Sequence, residues 1–164
     1  MAAHSDAYTI LAEKHGFGDS QRYLRVLRFL MTPVQAEMVA RLPGLAEEVA
    51  QRSGLELAMV KRNLEELHRK GVVVPRDYKK PDYYMFCKYA ERLWEVTESL
   101  MGLEIYTEAE TRQLFQLWDE WKETDYADMT AARWHNLKAA GIHGLRIVPA
   151  YRAIMGSPEI LPYE

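Results

Sequence analysis

The order of local patterns between residues 45 and 86 constrains the fold more than any other feature of the sequence. A short amphipathic segment opens at Leu45 and breaks at Gly54, and a longer one runs to Gly71, where a left-handed cap is expected. Two β-prone runs then flank a charged connection that is rich in turn residues. This order of helix, turn, helix and β-hairpin predicts a winged helix-turn-helix with a two-stranded wing. The two runs are residues 72–74 and 83–86.

Amphipathic segments on both sides of this region predict further helices. Each follows a polar residue that can accept a hydrogen bond from an amide in the first helical turn. At Thr32, the next residue is Pro33, which suits the first helical position, and Gln35 completes a capping box. The expected fold class is therefore mainly α, a winged helix-turn-helix with additional flanking helices. The predicted caps are Ser5 or Asp6, Asp19-Ser20, Thr32, Thr107 and Thr130.

These helix limits and a change in composition near the carboxyl end predict four parts of the chain. Residues 1–31 form amino-terminal helices, 32–87 the winged helix-turn-helix domain, and 88–144 a carboxyl-terminal helical extension. Residues 145–164 contain three prolines and are expected to be an extended tail or linker.

Composition limits the classes of function. The 164 residues, 48% of them apolar, are enough for one domain with an extension, and a net charge of −3 gives no overall attraction to nucleic acid. The sequence has no apolar run long enough to span a membrane and no secretory signal at its start, so we expect a cytoplasmic protein without a membrane partner.

Motifs for catalysis and metal binding are missing from the sequence. The five histidines, among them His135 and His143, show no zinc-binding spacing, and no phosphate-binding loop or nucleophile motif is present. His135 is expected to be a packed or surface residue and His143 a solvent-exposed one. Cys87, the single cysteine, is expected to be a small buried hydrophobe. We therefore expect no catalytic residue and no metal site.

A local excess of positive charge favours DNA binding. Residues 61–82 contain seven cations and four acids, a net +3, so that the rest of the chain carries −6. Such cations can contact phosphates, and Asn63 can read a base edge. However, the first turn of the predicted second helix is acidic and apolar, without a bidentate donor. The candidate nucleic-acid-binding residues are Lys61, Arg62, Asn63, Arg76, Lys79 and Lys80.

An aromatic helix after Thr107 allows two interpretations. Trp118 and Trp121 are three residues apart, so both lie on one face together with Leu114 and Leu117. In the first interpretation this face packs on the winged core. In the second it forms a partner or dimer surface, because large aromatic side chains are good interface anchors.

Two stretches of the chain resemble a known family. Residues 27–74 contain a helix that opens with Thr32-Pro33 and a turn at Leu42-Pro43-Gly44, and the tail contains Arg-x-x-Pro at 146–149 and Leu-Pro-Tyr-Glu at 161–164. These phrases are similar to those of the amino-terminal winged-helix region of ferredoxin-type 4Fe-4S proteins. In that family they precede a cysteine-rich segment that holds the cluster.

The resemblance implies a non-catalytic winged-helix module of an iron–sulfur electron-transfer protein that acts through protein contacts. The expected partner is a redox protein or a ferredoxin half of the same protein, with a homodimer as a further alternative. Because the sequence has one cysteine, it is expected to hold no cofactor, and a 4Fe-4S cluster is expected only if a cysteine-rich segment follows Glu164. The alternative function is that of a DNA-binding transcriptional regulator.

Overall fold

The computed structural model describes residues 6–99 and 105–142, and these residues are mainly helical. They belong to two compact units, one that ends at Ala127 and one that begins at Asp128. The expectation of a mainly α chain is therefore confirmed. The helices are α1 Ala7–Lys14, α2 Gln21–Leu30, α3 Pro33–Ala40, α4 Ala46–Ser53, α5 Leu57–Arg69, α6 Ala90–Ser99, α7 Glu108–Trp121 and α8 Ala127–Ala139, with a π-helical segment, Lys122–Tyr126, between the last two.

A small antiparallel sheet lies within the first unit. Its strands are β1 Gly44–Leu45, β2 Val73–Pro75 and β3 Tyr83–Phe86, in the spatial order β1-β3-β2. The two predicted strands pair as expected, with Val73 opposite Phe86. The expected total of two strands is wrong, because Gly44 and Leu45 add a third strand that pairs with Tyr84 and Tyr83.

Leu45 explains why β1 was missed. The sequence predicts that Leu45 opens the first helix of the pair, on one face with Ala46 and Val49, but it is the residue that precedes α4, and its side chain is exposed. Its amide donates to the carboxylate of Glu48. A two-residue strand is too short to show the alternation by which strands are recognised in a sequence.

Local capping starts four of the helices where the sequence predicts. The side chains of the cap residues each accept a hydrogen bond from an amide in the first turn, and two of these caps form complete capping boxes. The boxes pair Thr32 with Gln35 and Thr107 with Glu110. The four confirmed caps are Asp6, Ser20, Thr32 and Thr107.

The core of the first unit forms where the amino-terminal helices pack on the rest. Helix α1 packs against α2 and α3, and α2 packs against α7. As predicted, α2 buries Leu24, Leu27 and Leu30. The opposite face of α2 carries arginines that pair with acids elsewhere, Arg22 with Asp125, Arg25 with Glu120 and Arg28 with Asp6.

The limits of α4 and α5 follow from glycines and apolar spacing. Helix α4 ends at Gly54, whose φ of +70° suits a residue without a Cβ. Helix α5 then buries Val60, Leu64 and Leu67, which are spaced to lie on one face. Gly71, at φ +77°, follows its carboxyl end as predicted.

The prediction of a separate short helix capped by Thr130 is wrong. The chain continues from α7 through the π-helical segment into α8 without a cap at this position. Within the first unit, the rings of Trp121 and Tyr126 are 5.0 Å apart, so the wider π turn places Tyr126 against the core. The predicted tail, 145–164, and His143 lie outside the described residues.

The described part of the second unit is one helix with no buried residue. Its largest apolar side chain, Trp134, is 50% exposed, and His135 is exposed, which is one of the two environments expected for it. In neither described range, 6–99 or 105–142, is there a helix of the length and apolar character that crossing a bilayer requires.

Candidate functional site

In the predicted helix-turn-helix, the first turn of α5 is the part expected to enter a DNA groove, and it carries no donor for a base. Glu56 immediately precedes the helix, is exposed and makes no side-chain cap bond. The next three residues, Leu57, Ala58 and Met59, are apolar and lie at least partly at the surface. Bidentate recognition of bases requires side chains such as Arg, Asn or Gln at these positions. This turn therefore presents an acidic and apolar surface.

The predicted phosphate-binding residues of α5 lie one turn further along. Lys61 and Arg62 are both exposed, and Lys61 Nζ lies 2.9 Å from a carboxylate oxygen of Glu47 on α4. The pKa of Glu47 is lowered, chiefly because its carboxylate accepts this hydrogen bond. An exposed pair of this kind contributes little to stability. It does, however, place a negative charge directly beside one of the candidate phosphate contacts.

Asn63 is engaged inside the protein. Its Oδ1 accepts from Nε2 of the buried Gln35 at 3.1 Å, and its Nδ2 donates to the carbonyl oxygen of Met59 at 3.0 Å. Gln35 Oε1 in turn accepts from the amide of Thr32. Asn63 therefore links α5 to the start of α3, and its amide is not presented to a base.

The remaining candidate cations lie in the β2–β3 connection, residues 76–82. Arg76, Lys79 and Lys80 are all exposed. Asp77 Oδ1 accepts from the amide of Lys79 at 2.8 Å, which forms a local turn, and Lys80 lies 3.9 Å from Asp82. The guanidinium of Arg76 lies over the ring of Tyr83. Among the described residues, the acid that pairs with Lys80 of the connection is not one of those that pair with the cations near α5.

An apolar groove of about 320 Å³ lies between α3 and the turn that leads into α5. Val34, which is 47% exposed, and Leu55 contribute to its walls. Glu37 of α3 and Arg41, the residue after this helix, line the same groove, so its apolar surface lies beside charged side chains. The lining residues are Pro33, Val34, Glu37, Arg41, Ser53 and Leu55.

A second cavity of about 440 Å³ lies between the carboxyl end of α5, β2 and α6. The sequence does not predict this cavity, because its lining residues are far apart in the chain. The local sequence shows only His68 and Arg69 next to each other at the end of a helix. Arg92 joins them in the cavity only after folding. The lining residues are His68, Arg69, Gly71, Val73, Val74, Tyr78, Arg92, Val96 and Ile105.

Trp118 and Trp121 are fully buried within the first unit. Tyr23 of α2 and Phe17 pack against Trp121, and Trp118 donates from Nε1 to Oγ1 of Thr97 at 3.0 Å. Neither tryptophan is therefore available as an anchor on a partner or dimer surface. Both tryptophans are packed inside the protein, as in the first interpretation. They pack mainly on the amino-terminal helices and α6, however, and not on the α4–α5 region of the predicted winged core.

His15 forms an internal junction that the sequence did not predict. Its Nε2 donates to the carbonyl oxygen of Cys87 at 2.6 Å, its Nδ1 accepts from the hydroxyl of Tyr23, and its ring stacks on Phe86. Burial lowers the pKa of His15 and raises the pKa of Tyr23. The junction joins the end of α1 to the end of β3.

The donor set of this chain does not fit an iron–sulfur cluster. Such a cluster is held by about four thiolates, and Cys87 is the single cysteine of the sequence. Cys87 is buried, as predicted, and burial raises the pKa of its thiol. No group of three or more His, Cys, Asp or Glu residues is arranged to hold a metal ion among the residues at 6–99 and 105–142.

Comparison with known proteins adds no family. No protein-family model matches the sequence, and neither a curated protein nor a solved structure shows significant similarity to it.

Proposed function

We propose that this chain contains a non-catalytic winged-helix module that acts by binding another protein. The observation that carries the proposal is the surface at the start of α5. There, Glu56 and three apolar residues occupy the place where a DNA reader carries hydrogen-bonding side chains.

The order of elements from α3 to β3 supports the winged-helix assignment. Helix α3 is followed by β1, by the α4–α5 pair and by the β2–β3 hairpin, and β1 pairs with β3. In this arrangement the hairpin is the wing and α5 is the recognition helix.

The groove beside α5 supports a protein partner over DNA. Its exposed Val34 and half-buried Leu55 provide apolar area that can be buried in a protein interface. Contacts to DNA phosphates are electrostatic and do not require such apolar area. Asn63 is held by Gln35, so one of the six candidate DNA contacts is already engaged, and the carboxylate of Glu47 places a negative charge beside a second, Lys61.

The partner we propose is an iron–sulfur electron-transfer polypeptide of the ferredoxin type. The support is the resemblance of Thr32-Pro33 and Leu42-Pro43-Gly44 to the phrases of the winged-helix region that accompanies such proteins. Both phrases flank α3, the helix that forms one wall of the groove. The cluster belongs to the partner, since this chain has a single cysteine.

Calorimetric titration with a bacterial-type ferredoxin that carries two 4Fe-4S clusters tests this partner. We expect saturable binding that Val34→Glu weakens by about tenfold or more, because a carboxylate is costly to bury in an apolar contact. Ile10→Glu, on the exposed side of α1, is the matched control and leaves the affinity unchanged. Absence of binding by the unaltered protein, or equal loss in both variants, would contradict the proposal.

The second candidate function is DNA binding, favoured by the exposed Arg76, Lys79 and Lys80 in the β2–β3 connection. Fluorescence anisotropy with an arbitrary duplex at low salt separates the two functions. A DNA-binding protein shows an affinity that falls with salt with a slope of about 0.9 per phosphate contact. We expect no measurable binding, and a steep slope that Lys79→Glu reduces would establish the second function instead.

A further inference from the structure

We propose that the cavity between the carboxyl end of α5, β2 and α6 is a binding site for a small organic carboxylate with an apolar body. It has a volume of about 440 Å³, within the range of small-molecule sites, about 300–1,000 Å³. Such a site is independent of the protein-binding surface at the start of α5.

The walls of the cavity are apolar. Val73 is fully buried and Val74 and Val96 are half-buried, so β2 and α6 present branched aliphatic side chains to it. Ile105 adds a fourth. A ligand that is only an ion, such as inorganic phosphate, leaves this surface in contact with water, whereas an aliphatic or aromatic body covers it.

The charged side chains that line the cavity are both arginines. Arg69 and Arg92 both line it, and no acidic residue is among its described lining residues. Arg69 forms no ion pair within the ranges 6–99 and 105–142, and Arg92 pairs with Glu95 at 3.4 Å through side chains that are both more than half exposed. Such a pair is weak. Both guanidiniums can therefore turn to a ligand carboxylate, which they match in shape and charge.

His68 and Tyr78 complete the polar side of the cavity. The Nδ1 atom of His68 donates to the carbonyl oxygen of Val73 at 3.2 Å, which fixes the ring against β2. Its Nε2 atom has no hydrogen bond to any described residue. The ring of Tyr78 lies 6.0 Å from that of His68, and Tyr78 is 71% exposed, so it stands at the mouth of the cavity.

The test is calorimetric titration of the whole chain with octanoate and, separately, with phenylacetate. We expect at least one of them to bind saturably. Octanol and acetate, which each lack one half of the recognised structure, bind at least about tenfold more weakly, as expected when a charge-assisted hydrogen bond or the apolar contact is removed.

Two variants and one control locate the site. Arg69→Gln combined with Arg92→Gln removes both guanidiniums from exposed positions, and we expect the affinity for the carboxylate to fall about tenfold or more. Val96→Trp fills the cavity and removes binding. Arg112→Gln, on the exposed face of α7 and outside the cavity, leaves it unchanged.

The proposal is overturned if neither probe binds saturably. It is equally overturned if octanol binds as tightly as octanoate, or if the Arg69/Arg92 double variant and Arg112→Gln bind alike. Circular dichroism confirms that each variant is folded, and the double variant decides the outcome if Val96→Trp does not fold.

Discussion

The Nε2 atom of His15 lies 2.6 Å from the carbonyl oxygen of Cys87, although 72 residues separate the two in the sequence. A carbonyl oxygen only accepts, so Nε2 carries the hydrogen and Nδ1 is left to accept from the hydroxyl of Tyr23. The neutral imidazole therefore satisfies both partners. This explains how a half-buried histidine is tolerated between α1 and β3.

We expect His15 to make stability depend on pH. Burial holds its pKa in the folded protein below the value of about 6.5 of the unfolded chain. The unfolded chain then binds the proton first, so stability is complete above that value and falls as the pH drops through and below it. Urea unfolding at several pH values between neutral and mildly acidic measures this, and His15→Gln is expected to show a shallower loss. Equal slopes in the two proteins would contradict the prediction.

Thr97 supports the aromatic cluster through one hydrogen bond. Its Oγ1 accepts from Nε1 of the buried Trp118 and donates to the carbonyl oxygen of Leu93. Thr97→Val keeps the shape but leaves the indole N–H unpaired, which costs about 1–3 kcal/mol of unfolding free energy. Thr111→Val, on α7 and partly exposed, is the matched control and is expected to change little. Chemical denaturation measures the free energy of unfolding of both variants. A comparable loss in the two would refute this role of Thr97.

Asn63 is expected to act on stability through its link to Gln35. Asn63→Ala removes the hydrogen bond that the buried Gln35 donates to it, so we expect a loss of about 0.5–1.5 kcal/mol. Asn136→Ala, at an exposed position on α8, is the comparison and should be close to neutral. Thermal unfolding of both variants measures the effect. An unchanged melting temperature in Asn63→Ala would mean that this link does not stabilise the fold.

Cys87 is expected to be unreactive in the folded protein. Its side chain is buried, and burial raises the pKa of the thiol, so little thiolate is present or accessible near neutral pH. A chromogenic disulfide reagent should label it slowly in buffer and rapidly in denaturant, where one thiol per chain reacts. Fast labelling of the native protein would show that the end of β3 opens readily.

The parts of the fold that the sequence predicts well depend on neighbouring residues. Thr32, Pro33 and Gln35 define a helix start by themselves, and Gly54 and Gly71 mark ends because their backbone conformations disfavour a Cβ. Segments that depend on distant partners are predicted poorly. Strand β1 is visible only once β3 lies beside it.

The candidate sites follow the same division. The exposed cations of α5 and of the β2–β3 connection are visible as a charge excess in the sequence. Whether the side chain of Asn63 is available for a ligand depends on its hydrogen bond with Gln35, 28 residues earlier, and no local sequence pattern predicts that bond. The same holds for the cavity, to which Arg69 and Arg92 come from different helices.

The third strand has a consequence for self-association. In the described part of the chain, β3 is paired on both sides, and the outer strands of the sheet are two and three residues long. The longer outer strand ends in Pro75, which has no backbone N–H to offer to another chain. Short outer strands and proline are known protections against edge-to-edge β-aggregation, so this sheet offers little template for amyloid-like growth.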